Sequence, residues 1–362
     1  MAVTAAPASQ RVRVDATKLE DFMTEAYVKL GMPREDARVS AWGVVIADLR
    51  GHESHGVSNN VFGSYVPGLR SGDTKARPNI RILQETSVTS RWDGDQGMGF
   101  VVGSKVMNWC IERAKEHGAA FAAVANSRHY GMAQCYSIMA LEHDLIGYSL
   151  TNGVTPGVVP FQGRESRLGT NPISVAIPAG EEAPYVLDMA TTTVAFGKLQ
   201  NYQRDGKPIP PTYALGRDGR PTTDPAEAIA AVRMLPLGAN KEGSGHKGYG
   251  LGLMVDIFCG GLSGHGFRAT PDDPEAVSHF FGAWRPDAFL PLDQFKRLMD
   301  GRLREMMETP PAEGYDRVLY AGLPEWESER EKRANGIPLH PAVVDKLQGL
   351  ANELGLDFDI SR

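Results

Sequence analysis

Apolar and polar positions recur along the chain with two different periods. Apolar residues at helical spacing predict helices over residues 15–31, 34–49, 60–69, 100–117, 292–307 and the tail after Pro341. Short apolar or alternating runs predict strands over residues 81–92, 119–125, 145–151, 173–178, 185–189 and 317–320. Helices and strands interleaved in this way are typical of an α/β protein.

Segments rich in glycine and proline separate these elements. Residues 93–99 predict a turn that caps the following helix, and residues 322–325 predict a second turn. Residues 201–245 predict a long excursion on the surface or at an interface, with a short helix over 225–232. Residues 1–11 predict a frayed end, and they lack the basic start and long apolar run of a signal peptide.

Composition predicts the cellular compartment and argues against nucleic acids and anionic membranes as partners. The 362 residues are 42% hydrophobic and 23% charged, as in soluble globular proteins large enough for two or three lobes. A net charge of −6 and a pI of about 5.9 indicate no basic surface for nucleic acid or anionic membranes. The apolar run over 249–262 is too short to span a membrane. Three scattered cysteines, Cys110, Cys135 and Cys259, predict reduced core residues of a cytoplasmic protein.

Residues 48–57 concentrate two histidines, two carboxylates, an arginine and a serine directly after a predicted helix. A zinc protease needs histidines four apart on one helix face, whereas His52 and His55 are three apart beside a glycine. A serine hydrolase needs Gly-x-Ser-x-Gly, which Ser54 lacks. A proton-donating His55 is the favoured interpretation, and a histidine that only caps or packs at the turn stays open.

His129 lies between the strand over 119–125 and a helix that begins with glycine and alanine and ends near Glu142. The free N–H groups at the start of a helix favour an anion or a cofactor. A histidine with a purely structural role is the alternative at this position.

Neither glycine-rich stretch matches a standard nucleotide loop. Gly94, Gly97 and Gly99 have the reverse of the Rossmann spacing. Residues 243–250 precede an apolar helix, but Gly248 follows Lys247 where a phosphate-binding P-loop needs serine or threonine. A nicotinamide cofactor would therefore be bound without a Rossmann loop.

Several motifs combine into a resemblance that spans nearly the whole chain. They are residues 49–57, His129 with Gly131, Thr151 with Asn152, and residues 168–172, 187–191, 247–251 and 335–339. In this order they resemble the malate/L-lactate dehydrogenase family that is unrelated to the Rossmann-type lactate and malate dehydrogenases. The family includes ureidoglycolate and sulfolactate dehydrogenases, 2,3-diketogulonate reductase and the piperideine/pyrroline-2-carboxylate reductases.

The resemblance implies an α/β, non-Rossmann, nicotinamide-dependent fold with a separate helical lobe. The lobe would comprise residues 1–95 joined by the C-terminal segment 305–362, and residues 96–304 would form the cofactor-binding domain. It further implies NAD or NADP as cofactor, and a homodimer with active sites near the subunit interface. The choice between NAD and NADP stays open.

Positions carried over from the family imply a set of site residues. His55 would be the proton donor or acceptor at the substrate, with Ser54 and Asp188 completing its relay and His129 lining the same cavity. The implied dinucleotide contacts are Thr170, Asn171, Pro184, Tyr185, Val186, Leu187, Met189, Ala190, His246, Lys247, Gly322, Leu323 and Pro324. The implied substrate contacts are Arg50, Asn59, Arg164 and Thr151, and no metal is expected.

Asn59 departs from the family, whose members commonly carry an arginine four residues after the histidine. A guanidinium holds a carboxylate through two hydrogen bonds and an amide does not, so Arg50, Arg164 or Arg167 replaces it or the substrate differs. Residues 322–324 also differ from the family's usual Pro-Gly-Glu.

The implied function is that of an NAD(P)-dependent oxidoreductase acting on a small 2-oxo or 2-hydroxy acid. A reductase of cyclic or N-alkyl imines of 2-oxo acids is the alternative, because the same His55 could protonate nitrogen. A dinucleotide-binding protein without catalysis is a lesser alternative.

Overall fold

The computed structural model describes residues 11–153, 156–267 and 276–362. Within these ranges the α-helices are α1 (Ala16–Lys29), α2 (Arg34–Leu49), α3 (Val66–Ser71), α4 (Gly99–His117), α5 (Gln134–Ser137), α6 (Phe196–Arg204), α7 (Pro225–Ala231), α8 (Gly245–Asp256), α9 (Leu292–Met307), α10 (Leu323–Asn335) and α11 (Pro341–Leu354). Short π-helical or 3₁₀ segments lie at Val61–Tyr65, Ile138–His143, Ile257–Gly261 and Pro286–Ala288. The strands are β1 (Val12–Val14), β2 (Arg81–Glu85), β3 (Thr89–Gly97), β4 (Ala119–Ser127), β5 (Ile146–Thr151), β6 (Ile173–Ile177), β7 (Tyr185–Met189), β8 (Val277–Trp284) and β9 (Ile337–Leu339).

Seven of the described strands form one mixed sheet in the order β2-β3-β4-β8-β5-β6-β7. The β3–β4 pair is parallel and α4 provides its crossover, whereas the other pairs are antiparallel. A Rossmann domain has a mostly parallel sheet, so this arrangement confirms the predicted non-Rossmann α/β class.

The two ends of the described chain pack together. β1 pairs with β9 so that Val12 faces Leu339, and α1 packs on α2 and α11. The predicted apolar face of α1 is buried through Leu19, Phe22, Met23 and Tyr27. This apolar core continues into α4 and β4, and the predicted boundary after residue 95 falls within β3. The division into two domains stays a prediction.

Three predicted elements are wrong, and the chain has others that the pattern did not predict. Residues 93–97 continue β3 instead of forming a turn, with an irregular register and left-handed backbone at Asp95 and Gln96. Residues 317–320 form no strand, because the described backbone hydrogen bond to β7 runs from Val186 N–H to the carbonyl of Ala321, one residue beyond this segment. The predicted turn over 322–325 is the start of α10, with Gly322 as its left-handed N-cap.

The central strand β8 has no counterpart among the predicted elements. Seven of its eight residues are buried, so its sequence shows no alternation, and serine, histidine and glycine interrupt its apolar run. β1, β9 and α6 were likewise not predicted.

The excursion over 201–245 contains the predicted short helix as α7. Its apolar side chains form a small core of their own with residues from the preceding loops, namely Val158, Leu168, Val194, Leu199, Ile209, Ala214, Ala228 and Met234.

Three further predictions concern the cysteines, the membrane and the chain start. Cys110, Cys135 and Cys259 are buried and free, as predicted. Across the described residues, no helix combines the length and apolar character needed to cross a membrane. The predicted frayed end lies outside the described residues, apart from Arg11.

Candidate active site

The segment after α2 is a compact loop folded around the buried Asp48. Its Oδ2 accepts the N–H of Val57 at 2.8 Å, and its Oδ1 has no partner. A Cβ at Gly56 would collide with this carboxylate, so glycine is needed there. Burial raises the pKa of Asp48 to about 7.

α10 closes the end of α2 from outside. The Ser328 hydroxyl donates to the carbonyl of Leu49 at 2.8 Å, and the Lys332 ammonium donates to that of Asp48 at 2.7 Å. Since the last carbonyls of a helix have no partner within it, α10 completes the end of α2 and fixes where the loop begins.

His55 stands in this loop beside Ser54 and opposite His129. The Ser54 hydroxyl lies 2.8 Å from Nδ1 of His55. The rings of His55 and His129 stack at 5.8 Å with 15° between their planes. Burial, with smaller effects of His129 and His52, lowers the pKa of His55 to about 3. His55 is therefore neutral in the free protein.

His129 is held as one tautomer. Nδ1 of His129 accepts the N–H of Gly131 at 3.3 Å and lies 2.9 Å from the hydroxyl of Tyr65. Because a backbone N–H can only donate, Nδ1 is unprotonated, Tyr65 donates to it, and the ring proton is on Nε2. Burial lowers the pKa of His129 to about 4.

Asp188, in β7, is bound by Gln134 at the start of α5. Oδ2 of Asp188 accepts the backbone N–H of Gln134 at 2.9 Å. Burial raises the pKa of Asp188 to about 7, and the hydrogen bonds from Gln134 oppose this rise. Among the described hydrogen bonds, Ser54 joins His55 directly, whereas none connects Asp188 to His55.

Gln134 is hydrogen-bonded to Arg50, His52 and Asp188. The sequence did not predict this residue as part of the site. Its Oε1 accepts Nε of the buried Arg50 at 2.6 Å, and its Nε2 lies 3.0 Å from Nε2 of His52. Arg50 also bonds Glu329 of α10 at 3.0 Å. A single glutamine carries no motif, and its only sequence signal is its place at the helix start after His129.

Two of the predicted cofactor segments meet. Gly322 has φ +94°, and a Cβ on it would lie 2.7 Å from the nitrogen of Val186. Val186 N–H bonds the carbonyl of Ala321 at 2.9 Å, so the start of α10 lies along β7. Leu323 is buried and Pro324 is exposed. The other predicted positions in and beside β7 are half-buried, namely Pro184, Tyr185, Leu187, Met189 and Ala190.

The other predicted cofactor residues fall into two groups. Asn171 is fully buried, and its side chain bonds Gly153 N–H and the carbonyl of Gly252. The carbonyl of Thr170 accepts the N–H and hydroxyl of Thr191. His246 and Lys247 are exposed in the first turn of α8, where no side chain caps the helix.

The predicted substrate residues differ in how much of each side chain is available. Arg50 is buried and engaged, as described above. Thr151 is buried, and its hydroxyl bonds Ser278 and His279. Asn59 and Arg164 are exposed, and Arg164 packs on Gly219.

A cavity of about 450 Å³ adjoins His129 and Tyr65. Polar side chains from the α3 region line it together with Arg128, Met98 and Val277. No cluster of potential metal ligands occurs in the part of the chain that the structure describes.

Comparison with known proteins gives consistent matches along the chain. The model of a family described as malate/L-lactate dehydrogenase matches residues 14–348. Malate dehydrogenase of Pyrococcus horikoshii is 39% identical over 351 residues, covering 96% of each chain, and L-sulfolactate dehydrogenase of Methanocaldococcus jannaschii is 38% identical over 336 residues, covering 91% and 94%.

Solved structures of related dehydrogenases and reductases also match the chain over nearly its whole length. Malate dehydrogenase from Pyrococcus horikoshii superposes with a TM-score of 0.88 at 36% identity over 99% of each chain. Δ1-Piperideine-2-carboxylate reductase from Pseudomonas syringae pv. tomato superposes with a TM-score of 0.80 at 26% identity, covering 94% and 99%.

Proposed function

Since the chain belongs to the malate/L-lactate dehydrogenase family, we propose that it transfers hydride between a nicotinamide cofactor and a small 2-oxo or 2-hydroxy acid. It is an oxidoreductase of the 2-hydroxy-acid dehydrogenase type, as its malate and sulfolactate dehydrogenase relatives are named. The observation that carries the proposal is the neutral His55, hydrogen-bonded to Ser54 and stacked on His129.

His55 acts as base when the hydroxy acid is oxidised. Its pKa of about 3 keeps the imidazole neutral, which is the state that accepts the substrate's hydroxyl proton. In the reverse direction a bound substrate carboxylate places a negative charge beside the ring and raises its pKa, so that His55 carries the proton for the new hydroxyl. Ser54 fixes the ring through Nδ1, and Asp188 is proposed to favour the imidazolium by its negative charge once substrate is bound.

The residues proposed to hold the cofactor suit a dinucleotide. The uncapped start of α8 with the exposed Lys247 offers N–H donors and positive charge for a pyrophosphate. β7 and Gly322 offer a close backbone surface and half-buried apolar side chains for the rings. When bound, the nicotinamide supplies or takes up the hydride. NAD and NADP are both candidates.

Recognition of the substrate carboxylate is proposed to involve Asn59, Thr151 or one of the two arginines, Arg50 and Arg164. Arg164 is the more available guanidinium, because Nε and one terminal nitrogen of Arg50 already bind Gln134 and Glu329.

A substrate panel tests the proposal. Malate, lactate, sulfolactate and other 2-hydroxy acids, with the matching 2-oxo acids, are assayed at the nicotinamide absorbance with each cofactor. Saturable turnover of at least one acid is expected, and His55→Ala is the matched inactive control. Absence of turnover with every acid and both cofactors would overturn the proposal.

Reduction of a cyclic or N-alkyl imine is a second candidate, favoured by the structural likeness to the piperideine-2-carboxylate reductase. Here His55 would protonate nitrogen instead of oxygen. Piperideine-2-carboxylate, and pyruvate with methylamine, discriminate between the two. Turnover of the ketone without turnover of either imine would exclude this candidate.

We further propose a cytoplasmic homodimer, as the family resemblance implies. Exposed apolar side chains at and beyond α8, Leu251, Ile257, Leu262 and Phe267, provide surface that a second copy could cover. Light scattering of the purified protein measures the mass, and a monomer at micromolar concentration would contradict the dimer.

A further inference from the structure

Gln134 lies at the point where α2, β7 and α5 meet. It is 1% exposed, so each polar atom of its side chain needs a partner inside the protein. Its contacts are Nε of Arg50 at 2.6 Å, Nε2 of His52 at 3.0 Å and, from its backbone N–H, Oδ2 of Asp188 at 2.9 Å.

Arg50 fixes which way the Gln134 amide points. A guanidinium can only donate, so the atom facing Arg50 is the carbonyl oxygen. The NH₂ group then faces His52, whose Nε2 must accept, which leaves the His52 proton on Nδ1. Burial lowers the pKa of His52, in agreement with a neutral ring.

The same orientation commits Arg50 to Gln134 and Glu329. Among the described residues Arg50 forms its ion pair with Glu329, and no ion pair joins it to Asp188. The charged groups that act on the Asp188 carboxylate are Glu325 and, less strongly, Arg50. A direct pair with a guanidinium would hold that carboxylate ionised, whereas hydrogen bonds from Gln134 leave it able to titrate near neutral pH.

We propose that Gln134 is a positioning residue: its backbone N–H holds Asp188, and its side chain engages Arg50, which among the described residues pairs with Glu329 and not with Asp188. The inference rests on the role of Asp188 in the proposed function. Gln134 is buried and acts through Asp188, by setting where Asp188 lies and at which pH it ionises.

Gln134→Glu tests this inference. The new carboxylate still accepts from Arg50, loses the NH₂ donor toward His52 and adds a negative charge near Asp188. The added charge disfavours the ionised form of Asp188 and raises its pKa, while the backbone N–H bond to Asp188 stays in place. Activity that needs ionised Asp188 is lost as the pH falls through this pKa, so the acid limb of kcat/KM moves up by about one pH unit. Gln348→Glu, an exposed change in α11, is the matched control and should leave the limb in place.

Glu325→Gln supplies the compensating change, because it removes a negative charge that acts on Asp188. The double variant Gln134→Glu/Glu325→Gln should return the limb toward the wild-type pH, and it carries the test if Gln134→Glu alone does not fold. Carboxyl ¹³C NMR titration of Asp188 in the cofactor-free protein, assigned with Asp188→Asn, should show the same shift.

Failure of the proposed function and failure of the role of Gln134 give different results. A wild-type protein without turnover overturns the proposed function, and the NMR titration still reports on Gln134. An active wild type whose Gln134→Glu variant loses activity equally at every pH, with Asp188 titrating as before, overturns the positioning role.

Discussion

At the scale of single residues, His55 is the side chain on which the proposed chemistry depends. His55→Ala should lower kcat by about 10²–10⁴-fold, the usual contribution of a general acid or base, and leave cofactor affinity nearly unchanged. Steady-state kinetics with calorimetric cofactor binding measure both quantities. A variant with near wild-type kcat would place the proton transfer elsewhere, with His129 as the next candidate.

Asp188 provides the matching double-mutant cycle. If Asp188 and His55 act as one unit, Asp188→Asn combined with His55→Ala should be little worse than the worse single variant. No hydrogen bond joins them among the described contacts, so their coupling would come from charge alone or arise only when substrate binds. Multiplicative losses in kcat would show that the two residues act separately.

Tyr65 offers a third prediction at this scale, because its hydroxyl donates to Nδ1 of His129 and helps to hold the ring. Tyr65→Phe removes one hydrogen bond worth about 1 kcal/mol, and Gly131 N–H still reaches Nδ1. KM for the acid should rise several-fold, with a smaller change in kcat, and ¹⁵N NMR should show a shifted Nδ1 resonance of His129 as it loses one of its two donors. Tyr315→Phe, at a residue that is 72% exposed, is the control. Unchanged KM and an unchanged imidazole spectrum would contradict this role.

At the scale of elements, α10 completes the end of α2. Lys332→Met removes the ammonium from the carbonyl of Asp48 and should lower the free energy of unfolding by about 1–3 kcal/mol, because the hydrogen bond is charged and partly buried. Urea denaturation measures this loss. Lys29→Met, at the exposed end of α1, should change the stability little. Equal stability of the two variants would mean that water binds the Asp48 carbonyl as well as the Lys332 ammonium does.

Elements with strong periodicity could be predicted from the sequence, and elements without it could not. The segments over 34–49 and 292–307 match α2 and α9 at both ends, because each has an apolar stripe at helical spacing. β8 shows no such pattern, since both of its faces are buried. α10 was missed because its N-cap is a glycine whose left-handed backbone is set by the contact with β7.

The candidate site divides in the same way. His55, Ser54 and His129 belong to motifs and could be found in the sequence. Gln134 and Tyr65 act through contacts across 54 and 64 residues of sequence, to Asp188 and His129, and no local pattern marks such pairs. They become visible only once the fold is known.

At the scale of the whole molecule, buried histidines and buried carboxyls have opposite effects on acid stability. Burial lowers the pKa of His55 and His279 to about 3 and that of His129 to about 4. As the pH falls, these histidines are therefore protonated in the unfolded chain before they are protonated in the folded chain, and the free energy of unfolding decreases below about pH 6.5. Burial raises the pKa of Asp48 and Asp188 to about 7, so the folded chain binds these protons first. Their contribution is present at low pH and is lost as the pH rises toward 7.

Asp48→Asn removes one of the two compensating carboxyls. The urea midpoint of the variant should therefore fall more steeply between pH 7 and pH 5 than that of the wild type. Asp345→Asn, at an exposed position of α11, is the control and should leave the slope unchanged. Parallel curves for Asp48→Asn and the wild type would show that Asp48 ionises alike in the folded and unfolded chains.

The contacts of α10 have a consequence for protein engineering. One end of this 13-residue helix lies on β7 at Gly322, and Lys332 near its other end holds the carbonyl of Asp48, so a rod about 20 Å long connects two regions that a designer would treat separately. Redesign of residues 321–324, which include three of the proposed cofactor contacts, would also move the support of the His55 loop. Selection for a new cofactor is therefore best carried out with Ser328 and Lys332 varied in the same library.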